Sequence, residues 1–273
     1  MINRIKPYIS DVFMLPLSIL FLYPFYYILI NTFKTAQEGA YNPLGLPKHI
    51  IFDSYARVFR ESPVLNCFFN TFILASVSVT VILVIGVMAA YPIAYNPNKL
   101  NNAAMLYLMM TFLVPFQAIL LSLFEIMKSL HLINELYGMV LYYSNGSALT
   151  VFLAVGYMRT IPKELNEAAI VDGCSVFGIF WRIIFPLLKP ISITSIIFNT
   201  MWVWNDFVAP NLFLNSRSKG TMVLEIFRAQ GQFQVDWPSF MALSVLTLAP
   251  LVIFYIIMQK HIIKGLTAGA VKG

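Results

Sequence analysis

Charge is scarce in this chain. Only 11% of its 273 residues are Asp, Glu, Lys or Arg, while 59% are hydrophobic and 15% aromatic. A water-soluble domain carries about 25% charged residues, so this chain cannot cover a globule in water. Positions 62–98 hold no charged residue at all. Several such runs reach about 20 residues, enough for a helix to cross a hydrocarbon layer of about 30 Å. The class is therefore an all-α, multi-spanning membrane protein.

The other absences narrow its chemistry. Two cysteines, Cys67 and Cys174, fall at the start of one span and in a loop, where the membrane should separate them, so no disulfide framework is expected. No Gly-x-x-x-x-Gly-Lys-Ser/Thr string offers a phosphate-cradling loop. His49, His131 and His261 stand at no metal-ligand spacing, and no Ser/His/Asp set can be assembled at membrane depth. Catalytic and metal residues are thus none. The net charge of +6 is spread over loops and tails without the dense basic patch that nucleic acid requires; anionic lipid headgroups account for it. The span interiors hold no Lys, Arg, Asp or Glu. Ion-coupled transporters keep such a group in their path, so the energy for any transport comes from outside this chain.

What is present reads as six spans, at about 11–31, 68–95, 103–124, 139–157, 191–205 and 238–259. The first, behind Arg4 and Lys6, has no small-residue cleavage site and is retained. Lys34 opens a polar loop over 34–62, with a short amphipathic approach from Phe52 to Tyr55. Asn66 and Asn70 read chiefly as caps of the second span. Pro115 and Gln117 lie in the outer half of the third; Gln117 either lines a polar path or bonds a neighbouring helix. Tyr142 to Ser147, with Asn145 in the middle, is too polar to face lipid and predicts a broken helix in the fourth. Trp202, Trp204 and Phe207 mark the outer end of the fifth as an aromatic belt. There Asn205 and Asp206 face either a translocation path or the interface. Positions 209–237 read as a mobile polar loop. Six spans put both termini on one side, together with ten of the 18 Lys and Arg, which favours that side as cytoplasmic only weakly.

The most informative stretch is 167–190, EAAIVDGCSVFGIFWRIIFPLLKP. Pro162 suits a helix's first turn, and Glu164 and Glu167 suit its N-terminal end. Leu165, Ala168 and Ala169 recur at helical spacing on one face, where the small Ala168 and Ala169 allow close approach by another protein. Asp172-Gly173 predicts a stop through a left-handed glycine. Ser175 then caps a second helix, which Pro186 ends.

This string resembles the EAA loop of ABC importer permeases: Glu167-Ala168-Ala169, Gly173, Arg182-Ile183 and Pro186-Leu187-Leu188-Lys189-Pro190, with Phe185 where the family usually has Leu. Across nearly the whole chain, Pro43 to Pro47, Leu132 to Gly138, Trp204 to Phe207 and Lys264 to Gly273 are similar to the carbohydrate-uptake branch, specifically the second permease of maltose-type oligosaccharide importers. The resemblance implies a type I ABC importer permease fold in one domain, 1–273. It implies a cytoplasmic coupling loop at 160–189 and a cytoplasmic tail at 260–273 that can reach toward the ATPase dimer. Leu165, Glu167, Ala168, Ala169, Asp172 and Gly173 would dock on a cytoplasmic ABC ATPase dimer, which alone uses ATP and Mg. A second homologous permease and an extracytoplasmic solute-binding protein would complete a sugar importer in a bacterial cytoplasmic membrane. Such an importer works by alternating access. Gln117, Asn145 and Asn205 are candidate polar groups of its path. An ABC permease for another solute, or an ATP-independent carrier or channel, are the alternatives.

Overall fold

The computed structural model describes the backbone of residues 2–232 and 236–270, and the side chains of 14–230 and 236–260. Helix is the only regular structure among them. Along α1 (Ile2–Asn31), the stretch Met14–Asn31 is apolar and long enough to span. Thr35 accepts the Glu38 N–H and caps α2 (Ala36–Tyr41). The amphipathic α3 (Asp53–Glu61) has Asp53 in its first turn and Arg60 in its last, the signs that a helix dipole favours. The next helix, α4 (Val64–Tyr95), is 32 residues long and runs through Pro92.

The expected third span is broken. Asn98 accepts the Asn101 N–H to start α5 (Lys99–Met110), and α6 (Phe116–Ser129) begins only after Pro115. Proline disfavours helical backbone in the residue before it and lacks an N–H for the ladder, so 111–115 forms a turn. The fourth span is interrupted as its polar residues predict: α7 (Leu136–Tyr143), a 3₁₀ turn over Ser144–Gly146, then α8 (Ser147–Met158).

Next come α9 (Lys163–Val171) and α10 (Val176–Ile179). Ser175 accepts the Gly178 N–H as the sequence suggested. Pro186 does not end this helix. A π turn over Phe180–Ile184 passes into α11 (Phe185–Leu187), with Pro186 in its first turn. The wider π turn, in which Phe185 N–H bonds the Phe180 carbonyl, accommodates a ring that would crowd the Arg182 carbonyl in a regular α-helix. The break comes at Leu188, where 176–187 and α12 (Lys189–Asn205) meet at 75°. The expected mobile loop over 209–237 is instead largely helical, with α13 (Val208–Phe213) and α14 (Met222–Gln232); residues 233–235 lie outside the described ones. Finally, α15 (Trp237–Ala270) contains the apolar stretch Trp237–Lys260. Four described helices or helix pairs are long and apolar enough to cross a membrane, five if the bent pair is one span.

The chain divides into two compact units. The first, 1–65 with 224–250, is organised by Lys34, whose ammonium donates to Asn31 Oδ1 at 3.2 Å and to the carbonyls of Asn42 at 2.8 Å and Pro43 at 3.3 Å. Those bonds let a wholly buried cation hold the end of α1 to the loop after α2. Burial lowers its pKa, and Glu38 opposes that shift. Tyr55 donates to Thr32 at 3.1 Å, Phe33 packs edge-on against Phe52, and Arg57 pairs with Asp236. The second unit, 66–223 with 251–273, has a core built from α4 (Val87, Ala90), α8 (Val151, Ala154, Met158) and 179–188 (Ile179, Ile184, Leu188). Gly86 is the contact that lets α4 approach α8: a Cβ there would lie 2.6 Å from Thr150 Cβ.

Candidate functional site

The loop after α8 is built by its own capping chemistry. Asp172 closes α9 and Gly173 follows at φ +77°. The Cys174 N–H bonds the Ala169 carbonyl and the Gly173 N–H bonds the Ile170 carbonyl, both at 3.0 Å. This 6→1 and 5→2 pair is a Schellman motif, and only glycine adopts its left-handed position without strain. Two helix-terminal carbonyls are satisfied and the chain turns sharply into the Ser175 cap.

Two contacts tie α9 to the rest of its unit. Ala169 is 5% exposed and packs in the core. Tyr91 of α4 donates to Asn166 Oδ1 at 2.8 Å. Ala169 therefore faces inward, not outward beside Ala168 and Leu165 as the helical spacing suggested. The outer surface consists of Leu165, Glu167, Ala168, Asp172 and Gly173, all exposed, together with four apolar side chains that the sequence reading did not single out: Ile170, Val171 (87% exposed), Val176 and Phe177. These apolar side chains stand exposed beside the charged Glu167 and Asp172.

Asn145 lies in the 3₁₀ turn before α8, so a 12-residue helix of about 18 Å separates it from the approach to α9. It lines a cleft of about 230 Å³ with Thr111, Phe112, Phe198, Asn199 and Trp202. Behind this cleft is a buried polar cluster that the sequence reading missed. Thr150 and Ser195 hydroxyls are 2.7 Å apart, and the Asn199 amide donates to the Ser195 carbonyl at 2.8 Å and to Ser195 Oγ at 3.2 Å. The signal available was Ser195 and Asn199 at i, i+4, beneath a turn rich in serine and asparagine. Gly146 completes the fit, since a Cβ there would meet Trp202 at 2.7 Å and Asn199 Oδ1 at 2.8 Å.

The other candidate path residues are not gathered around this cleft. Gln117 is exposed in the first turn of α6, and the Asn205 amide bonds back to the Met201 carbonyl of its own helix. Asn70 does not cap α4; its amide donates to the Ser218 and Gly220 carbonyls. Asp206 accepts the N–H of Val208, the first residue of α13, at 2.9 Å, and it accepts the buried Tyr143 hydroxyl at 3.0 Å. Burial raises its pKa, and these hydrogen bonds oppose the shift. Among the described residues, no group of three or more His, Cys, Asp or Glu could hold a metal ion.

The described residues form long apolar helices, an interrupted helix lining a cleft of aromatic and amide side chains, and an exposed, glycine-capped loop, which is the architecture of a helical membrane protein. A family model described as the binding-protein-dependent transport system inner membrane component matches residues 82–268, and the chain belongs to that family. It is 36% identical over 271 residues (98% of both chains) to a probable starch degradation products transport system permease protein, AmyC, of Thermoanaerobacterium thermosulfurigenes. It is 32% identical, over 92% of this chain and 91% of the relative, to a melibiose/raffinose/stachyose import permease protein, MelC, of Bacillus subtilis. In fold it resembles a chain of a bacterial ABC transporter involved in the import of the acidic polysaccharide alginate, with a TM-score of 0.82 at 21% identity, covering 94% of this chain and 96% of that one.

Proposed function

We propose that this chain is one of two permeases in a binding-protein-dependent ABC importer that carries a sugar or oligosaccharide into the cell. Its family membership and the sugar-transporting relatives support the substrate class. The cleft lined by Asn145, Asn199, Phe112 and Trp202 suits it chemically, combining amide groups with aromatic faces and no formal charge. Six spans result if α12 crosses the membrane while 176–187, bent 75° from it, stays at the cytoplasmic surface, and if α5 with α6 crosses once. Both termini, the loop at 160–189 and the tail at 260–273 then lie on the cytoplasmic side. The terminal residues 271–273 and the side chains of 261–273 are outside those described.

In this reading α9 is the coupling helix. A cytoplasmic ABC ATPase dimer binds and hydrolyses ATP with Mg, and this chain performs no catalysis itself. Leu165, Glu167, Ala168, Asp172 and Gly173, with Ile170, Val171, Val176 and Phe177, meet the ATPase, while Ala169 and Asn166 face the permease. The observation that carries the reading is this two-sidedness: one face exposed and apolar, the other fixed to α4 by the Tyr91–Asn166 bond and buried in the core through Ala169. A push on α9 therefore reaches α4 directly. The movement alternates access to the cleft, and a solute-binding protein delivers sugar from outside. In the assembled importer, Glu167→Lys abolishes uptake while membrane insertion and folding persist. Normal uptake by that variant refutes the docking role.

A further inference from the structure

Two helix breaks border one cleft. The turn at 111–115 separates α5 from α6, and the 3₁₀ turn Ser144–Gly146 separates α7 from α8. Thr111 and Phe112 of the first, with Asn145 and Gly146 of the second, line the same space of about 230 Å³. The second break falls near the middle of the apolar stretch Leu136–Met158. Irregular backbone at membrane depth is stable only where protein covers it or where it lines a wet cavity. The Thr111 and Phe112 carbonyls accept no backbone hydrogen bond among the described residues, which favours the wet cavity. The side chains there are ready for a ligand. Asn145 is exposed, and its amide makes no hydrogen bond among the described residues. Trp202 is 38% exposed, and its ring is held edge-on by Tyr143 at 5.4 Å. Tyr143 is in turn fixed by its bond to Asp206. No charged side chain lines the cleft.

We propose that this cleft selects an uncharged sugar ring, with Trp202 as its stacking platform and Asn145 as the amide that reads its hydroxyls. The assignment rests on the sugar-importer reading above and deepens it by naming the specificity-determining residues and the class they reject. A sugar ring has an apolar C–H face that can cover an aromatic ring, and hydroxyls at its rim that both donate and accept. The Asn145 amide likewise carries both functions. A uronate ring would have to shed water from its carboxylate with no cation in the cleft to replace it. Asn199 takes no direct part. It is buried, and its amide is committed to Ser195, so it supports the wall behind the platform.

The test is saturation-transfer NMR on the assembled importer in lipid nanodiscs, with raffinose, maltotriose and the acidic trigalacturonate as probes at millimolar concentration. Binding of a neutral sugar, and not of trigalacturonate, is expected. Trp202→Leu should weaken that binding about tenfold and Asn145→Ala about fivefold. Trp202→Phe should keep most of it, because an aromatic face remains; leucine fills similar space without one, so the pair separates stacking from packing. Asn145 is exposed, so its replacement reads ligand contact without unfolding the site. Equal binding of trigalacturonate overturns the proposal, as does unchanged neutral-sugar binding in both Trp202→Leu and Asn145→Ala. Uptake of the same sugars into proteoliposomes, with the binding protein present, separates the two levels. Uptake without binding at this cleft removes the proposal and leaves the sugar reading standing, whereas neither uptake nor binding removes both.

Discussion

Gly173 distinguishes two explanations of the exposed loop. A Cβ added there meets nothing within 4 Å in this chain, so substitution costs only backbone strain at φ +77°. For alanine that strain is roughly 1–2 kcal/mol, equivalent to about a five- to thirtyfold loss of correctly closed loop. Asparagine visits the left-handed region readily and should lose much less, despite its larger side chain. If instead the partner ATPase packs tightly on Gly173 itself, size decides and alanine is the milder change. Our reading is that Gly173 acts by shaping the exit from α9. Binding-protein-stimulated ATP hydrolysis in proteoliposomes, and retention of the ATPase on purified permease, should therefore rank glycine, asparagine, alanine, then valine. Alanine outperforming asparagine, or matching glycine, refutes the capping argument.

Other outcomes follow from packing and charge. Gly86→Ala drives a methyl into Thr150, which its bonds to Ser195 and Asn199 hold in place; thermal unfolding in detergent should show a loss of about 1–3 kcal/mol. Lys34→Met strands the Asn42 and Pro43 carbonyls and should cost about 1–3 kcal/mol in the same assay. Its pH dependence has a definite sign. The folded pKa is lowered, so between it and the ordinary lysine value of 10.5 the unfolded chain holds more protons, and the stability of wild type relative to Lys34→Met rises with pH across that window. A difference that falls over that window excludes burial as the dominant influence on Lys34.

The sequence made some of this legible and hid the rest for physical reasons. Apolar run lengths located α1, α4 and α15, because the cost of exposing backbone in lipid leaves helix as the only option. The Asp172-Gly173 stop and the Ser175 cap were legible because local hydrogen bonds dictate them. The break in the third span was hidden, since Phe112, Leu113 and Val114 keep the stretch apolar through a turn that only Pro115 betrays. Helical spacing put Leu165, Ala168 and Ala169 on one stripe but carried no information about which edge meets the core. Lys34 looked like an ordinary loop cation; its burial depends on carbonyls of Asn42 and Pro43, a tertiary arrangement that composition does not encode. Similarly, Thr150 contacts Ser195 and Asn199 across 45 and 49 residues of chain.

The chain supplies a natural probe of its central feature. Cys174 is exposed in the loop beside Gly173, whereas Cys67 is buried. Maleimide labelling of Cys174 in sealed membrane vesicles of both orientations, with and without the ATPase subunit, reads sidedness and occupancy together. The account predicts labelling only from the cytoplasmic face and strong protection when the ATPase is assembled. Labelling from the opposite face, or an unchanged rate with the ATPase bound, contradicts it.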